Sequence, residues 1–295
     1  MGTPSEVEVG GLDRTAANAA LDAAFLALER VDDSMSLWKE SELTRLNQTG
    51  SAQASTDLRV VLAHALDIAG ASGGAFDPTI EPFVRAAGGT GQPPRALGPD
   101  QRQALLRRVG AAHVHLDPVS GAVRLDPGTT LDFGGIAKGY AADLALTALR
   151  GAGAASGLVD LGSSSIGVFG LPLTLDIRDP ERSDRAPWGS FSLTGGHVST
   201  SGDDQRPGHI LDPRTGEPVH HVLAATVVAA SGIEADALST AVFVLGAQDG
   251  LALLARRGAA GLVLLREGGR AVIRTTPGFA SAHALKPAAD VVVRE

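Results

Sequence analysis

The chain has 295 residues, 44% of them hydrophobic, a formal net charge of −8 and no cysteine. That length and apolar share suffice for one large core or two intimate ones. Acids and bases are interspersed rather than clustered, so no basic groove for nucleic acid is encoded, and disulfides, thiolate nucleophiles and Cys-ligated zinc are excluded. Met1 to Leu12 lacks a basic stretch followed by an apolar one, and no run of about 18 apolar residues occurs, so neither secretion nor a membrane span is written in these residues. As written the chain reads as cytoplasmic; an exported form that has lost its leader is the alternative.

In chain order, Leu21, Phe25, Leu28 and Val31 recur at helical spacing behind Asp13 or Thr15 as cap, and their face is assigned to the core. Leu58, Val61, Leu62, Ala65, Leu66 and Ala69 predict a second helix after Ser55 and Thr56, ended by Gly70, Gly73 and Gly74. Ala86 to Asp100, dense in Gly and Pro, reads as a surface loop before a short helix at Gln101 to Val109. Val114 to Leu125 alternates around Asp117 to Gly121 as a β-hairpin and leads into a Gly-rich turn that opens a helix. Beyond Gly151, strands are expected at Gly157 to Gly162, Leu173 to Arg178, Ser190 to Leu193 and Ala224 to Ala230. Helices follow near Glu234 to Leu245 and Gln248 to Arg256. The order is mixed, so the fold class is α+β, with mixed or antiparallel sheets packed against helices.

Five segments carry chemistry. In MSLWKESELTRLN, Met35 and Trp38 offer an apolar surface for a flat ring beside polar donors that include Asn47; the alternative is a helix boundary with Ser41 as N-cap. In GGAFDPT, glycines let backbone approach a ligand closely while Asp77 offers a hydrogen-bond acceptor beside the aromatic Phe76; the alternative is a turn in which Asp77 bonds its own backbone. In LDFGGIAKGYAAD, free N–H groups at a helix start and the Lys138 charge suit a pyrophosphate, although the segment is neither a Walker A nor a GxGxxG sequence. The fourth, STSGD followed by HILDPRTG, contains His209, the histidine best suited to take a proton from a hydroxyl, with Asp212 close in sequence. His64, His113, His115, His220, His221 and His283 read as structural. In the last, ADALSTA, Asp236 and Thr240 stand four apart on one helical face and can converge on a hard cation; all-oxygen ligation favours Mg²⁺ over zinc. The alternative is an Asp favoured by the helix dipole and a Thr bonded to the preceding turn.

In this order and spacing the five segments resemble the ApbE family of flavin transferases, FAD:protein FMN transferases, along nearly the whole chain. The resemblance implies a T-fold-like α+β unit spanning residues 1–295, compact or built of two interpenetrating subdomains with FAD in the cleft. It implies FAD as substrate against Met35, Trp38, Asn47, Ala75, Phe76, Asp77, Asp132, Lys138 and Ile210. It implies Mg²⁺ on the Ala137 carbonyl, Asp236 and Thr240, with His209 and Asp236 as catalytic residues. The partner is then an acceptor flavoprotein carrying a target Thr or Ser, and AMP is released. Two departures stand out: the family's Gly-Gly-Asn is replaced by Gly162-Ser163-Ser164-Ser165, and the segment from Asp203 to His209 is short and lacks a Tyr. A Mg²⁺-dependent FAD pyrophosphatase and a non-catalytic FAD-binding protein are the rival readings. A serine hydrolase using Ser201 and His209 is discounted for want of a G-x-S-x-G elbow.

Overall fold

A computed structural model describes residues 3–88, 95, 97–182, 184–202 and 208–295. Its helices are α1 (Arg14–Met35), α2 (Glu42–Thr49), α3 (Thr56–Ala71), α4 (Glu81–Ala86), α5 (Pro99–Leu106), α6 (Ala137–Gly151), α7 (Gly232–Arg257) and α8 (Phe279–Ala282). The strands are β1 (Ser5–Gly10), β2 (Ser51–Gln53), β3 (Val114–Leu116), β4 (Ala122–Leu125), β5 (Ser156–Leu161), β6 (Ser165–Phe169), β7 (Leu173–Ile177) and β8 (Gly189–Leu193), followed by β9 (Gly196–Gly202), β10 (Leu211–Asp212), β11 (Glu217–Pro218), β12 (Ala224–Ala229), β13 (Ala260–Glu267), β14 (Arg270–Thr275), β15 (Lys286–Pro287) and β16 (Val292–Arg294). The central sheet runs β1-β5-β6-β9-β12-β13-β14-β16, antiparallel except for the parallel β14–β16 pair. The α+β expectation holds.

Strand alternation divides the interior into layers. Val159 and Leu161 of β5, Ala225 and Val227 of β12 and Val263 of β13 point to the core built with α1, α3, α6 and α7. Leu158, Ile166, Val198, Val228, Leu262 and Leu264 point the other way, to a second core closed by Phe191 of β8 and Phe279 of α8. Helix α7 is long and apolar enough to cross a bilayer, with hydropathy 1.6, yet 61% of that stretch is buried inside the protein. Its apolar residues are therefore spent on the sheet and on neighbouring helices.

Several expectations shift by a face or a residue. Asp13 does cap α1, but the buried residues are Ala20, Ala24, Leu28, Val31 and Met35, while Phe25 is 40% exposed and Leu21 only half-buried. The small alanines face the core, where a neighbouring helix can approach closely, so reading bulk as burial rotated the face. Helix α4 ends at Ala86 and α5 begins at Pro99, two residues before the expected helix start; of the expected loop, residues 89–94 and 96 lie outside the described residues. The two expected C-terminal helices are present as the two halves of α7, which meet at a kink at Gly246, whose φ of 81° and ψ of 179° leave the helical region.

Helices α6 and α7 cross backbone against backbone. A Cβ at Gly139 would stand 1.9 Å from the Gly232 carbonyl oxygen, and one at Gly232 would stand 2.3 Å from the Gly139 carbonyl oxygen. Neither helix caps itself: Ile136 and Ser231, their N-cap residues, make no side-chain cap bond. Asp143 of α6 instead accepts the N–H groups of Gly232 (2.7 Å) and Ile233 (2.9 Å) at the start of α7. His197 of β9, itself buried, places Nε2 3.0 Å from Asp143 Oδ1, and its Nδ1 has no hydrogen-bond partner. Burial holds the imidazole below its ordinary value, against the opposing pull of the Asp143 charge.

Two outcomes follow from this crossing. Gly139→Ala should lower the urea midpoint, at unchanged slope, by an amount equivalent to about 2–3 kcal/mol. Gly70→Ala on α3, where a Cβ meets nothing within 4 Å, should be neutral or stabilising. Because the His197 pKa is lower folded than unfolded, the unfolded chain binds more protons below about pH 6.5. Stability is thus complete above that pH and is lost as pH falls; thermal melts between pH 7.5 and 5.5 should show a steeper loss for wild type than for His197→Gln.

Candidate active site

The site is assembled around the segment that opens α6. Asn47, near the end of α2, clamps Leu131 from both sides: its Nδ2 donates to the Leu131 carbonyl (2.9 Å) and its Oδ1 accepts the Leu131 N–H (2.7 Å). Next along the chain, the Asp132 N–H donates to the Pro78 carbonyl at 2.7 Å, so three of the five segments are tied together, by the Asn47 side chain on one side and a main-chain bond on the other. The Asp132 Oδ1 accepts the Gly134 N–H at 2.6 Å. Burial pushes the Asp132 carboxyl up, against the lowering effect of the Gly134 bond and with help from the nearby Glu81 charge.

Each expected ligand residue has a definite place. Met35 is 5% exposed and packs in the helical core, whereas Trp38 is 66% exposed, so the two do not form one flat surface. Ser41 is an N-cap in a reciprocal capping box with Thr44, which is the structural alternative for that segment. Asp77 is likewise a structural cap, buried, with Oδ1 accepting from Thr79 N–H (2.9 Å) and Thr79 hydroxyl (2.6 Å) and Oδ2 from Ala111 N–H (2.9 Å). Ala75 and Phe76 are buried beneath it, and a Cβ at Gly135 would lie 3.3 Å from the Phe76 ring and 3.1 Å from Thr240 Oγ1. Lys138 and Ile210 are half-buried and His209 is exposed. Asp212 does not stand open beside His209: it receives a two-pronged bond from Arg214, with Nε and Nη2 each at 2.8 Å. The Arg214 stem borders the GGAFDPT turn, 3.6 Å from where a Gly74 Cβ would be. Residues 203–207, which include the end of STSGD, lie outside the described residues.

The fifth segment lies on α7, over the helix-facing side of β6 and β9. Period-2 alternation brings His197, Ser199 and Ser201 to that face, and the β6–β9 register pairs Ser165 with Ser199 and Gly167 with His197. Asp236 lands among them, 4% exposed. Its Oδ2 accepts the Gly139 N–H at 2.9 Å, and its Oδ1 lies 3.2 Å from Ser165 Oγ and 3.1 Å from Ser199 Oγ. One turn on, Thr240 Oγ1 is 3.2 Å from Ser201 Oγ, whose nearer partner is Ser239 at 2.8 Å. Ser165, Ser199 and Asp143 fall in stretches picked out from the sequence without a role of their own, and His197 falls in none. The alternating polar residues of HVSTSG, set between apolar strands, were the available signal.

The donor set suits a hard cation. No group of three or more His, Cys, Asp or Glu side chains capable of holding a metal exists among the described residues, which leaves oxygen donors such as the Ala137 carbonyl, Asp236 and Thr240. Asp236 is buried with three neutral donors and no Lys, Arg or His within ion-pair distance among the described residues. A buried carboxylate left without a counter-charge is costly, and a divalent cation on its free lone pairs removes that cost. Gly135 keeps the approach to Thr240 clear, since a Cβ there would crowd the hydroxyl.

Comparison with known proteins identifies the family. A profile of the ApbE family matches residues 1–263. The FAD:protein FMN transferase of Salmonella typhimurium is 29% identical over 91% of this chain and 83% of its own, and that of Treponema pallidum is 34% identical over 80% and 74%. The solved flavin transferase ApbE from Vibrio cholerae superimposes with a TM-score of 0.83 at 25% identity, covering 95% of this chain and 96% of its own. The chain belongs to the ApbE family.

Proposed function

We propose that this protein cleaves FAD and transfers the FMN half to a Thr or Ser hydroxyl of an acceptor protein, with Mg²⁺ as the metal. The observation that carries the reading is Asp236, a buried carboxylate with no cationic partner among the described residues, set beside Thr240 and against the glycines that open α6. Relatives bearing the name FAD:protein FMN transferase support the same reading.

On this reading the residues divide by exposure. Trp38, Lys138 and Ile210 have surface to offer to the flavin and its phosphates; Met35, Ala75 and Phe76 form the floor; Asn47, Asp77 and Asp132 hold the backbone of the loops that line the site. When bound, Mg²⁺ on the Ala137 carbonyl, Asp236 and Thr240 supplies charge neutralisation for the pyrophosphate. Lys138, in the first turn of α6, adds a positive point charge at a helix end that already favours anions. His209 is exposed, as meeting a protein acceptor requires, and takes the acceptor hydroxyl proton as general base. The acceptor oxygen bonds to the FMN phosphorus, the bond from that phosphorus to the AMP oxygen breaks, and AMP leaves with the electron pair.

The test is incubation with FAD, Mg²⁺ and a flavin-acceptor domain, read by intact mass of the acceptor and by AMP release. The acceptor should gain one FMN phosphoryl adduct, with AMP in equal amount. Asp236→Ala should reduce the rate by about 100-fold or more, EDTA should abolish it, and His209→Ala should slow transfer while leaving FAD binding intact. AMP with free FMN and no mass gain would replace transfer by hydrolysis, and tight FAD binding without either product would contradict catalysis altogether.

A further inference from the structure

The turn that leads into β6, Gly162 to Ser165, is tied to the carboxylate of the cation site. Ser165 Oγ and Ser199 Oγ converge on the same oxygen, Asp236 Oδ1, and stand 3.2 Å from each other. Ser199 Oγ is also 2.9 Å from the Ser164 carbonyl, which accepts the Thr200 N–H at 2.8 Å as well. All three side chains are buried: Ser165 and Ser199 at 2% exposed and Asp236 at 4%.

A hydroxyl has one proton to give. Ser165 has two acceptors in reach, Asp236 Oδ1 and the Ser199 oxygen, and the anion is the stronger. Ser199 has a choice between Asp236 Oδ1 and the Ser164 carbonyl. Asp236 is thereby held from two sides, Oδ2 by the α6 backbone and Oδ1 by the strands, and the side chain cannot rotate without breaking bonds on both. When a cation draws charge from the carboxylate, Oδ1 weakens as an acceptor, and Ser199 still has a neutral acceptor for its proton.

We propose that Ser165 and Ser199 are positioning residues of the cation site: their hydroxyls fix the Asp236 carboxylate for metal binding, Ser165 as its constant donor and Ser199 as a donor that turns to the Ser164 carbonyl when the metal is held. This inference rests on the metal reading of Asp236 given above. Outer partners of a metal ligand govern affinity through its orientation, so their loss appears in metal binding even where the fold survives.

The experiment titrates Mn²⁺, standing for Mg²⁺, into FAD-saturated protein and reads free Mn²⁺ by electron paramagnetic resonance, with thermal melts of the metal-free protein alongside. Ser165→Ala should raise the Mn²⁺ Kd by about 10-fold or more and Ser199→Ala by less, while FAD affinity without metal stays unchanged. Ser199→Thr, which keeps a hydroxyl, should restore affinity relative to Ser199→Ala. A Mn²⁺ Kd within about twofold of wild type in folded Ser165→Ala, whatever its melting temperature, overturns the inference, since a purely structural role lowers stability alone. Should Ser165→Ala fail to fold, Ser199→Ala is judged by the same twofold criterion. Asp236→Ala separates the two claims: if it binds Mn²⁺ as wild type does, the metal reading itself falls; if it loses binding while the serine variants do not, only the present inference falls.

Discussion

Helices α6 and α7 cap each other. Asp143 of α6 accepts the first two N–H groups of α7, and Asp236 of α7 accepts the N–H of Gly139 in the first turn of α6, so each helix supplies the carboxylate that its partner's own N-cap residue does not. The exchange is possible only because Gly139 and Gly232 let the two backbones touch. From this contact follow the position of Ala137 and Lys138, the depth of Asp236 and the height of Thr240 over β9.

The arrangement is not the one that would maximise stability. A buried carboxylate served by neutral donors is worth less to the fold than an apolar side chain of similar volume. Among the described residues, Asp143 has a histidine beside it and two N–H donors, and Asp236 has an amide and two hydroxyls. On the proposed reading, this difference between two acids that both sit on helices would separate a cap, Asp143, from a metal ligand, Asp236. Around them the remaining polar residues act at one remove: Asn47 holds Leu131, Asp77 holds Thr79 and Ala111, and Arg214 holds Asp212. Much of the site is thus made of side chains that place backbone for others to use.

Local patterns in the sequence foretold the elements that rest on local physics. Helix α3 behind Ser55, the β3–β4 hairpin, the helix opening at Ala137 and the interruption near Gly246 all follow from spacing, caps and glycine. What was not legible came from long-range contacts. Phe25 reads as core by bulk, but the helix turns its alanines inward. Asn47 and Asp77 read as ligand contacts from the sequence, and the structure adds what no spacing shows: Asn47 bonds the main chain of a residue 84 positions away, and Asp77 bonds the Thr79 hydroxyl and the backbone N–H groups of Thr79 and Ala111. Ser165 and Ser199 meet through a strand register that no short spacing encodes, and the reciprocal caps join residues about ninety positions apart. The structure brings the Asn47, Pro78 and Leu131 to Asp132 portions of these segments together by hydrogen bonds and sets Asp236 beside Gly139.

The central claim is that the crossing of α6 and α7 forms a cation site. Its most direct test is a crystal of the protein grown with FAD and Mn²⁺ and measured for anomalous scattering. The account predicts one strong peak bounded by the Ala137 carbonyl, Asp236 and Thr240, lost in Asp236→Ala. A peak elsewhere, with Asp236 still bonded only to Gly139, Ser165 and Ser199, would contradict it.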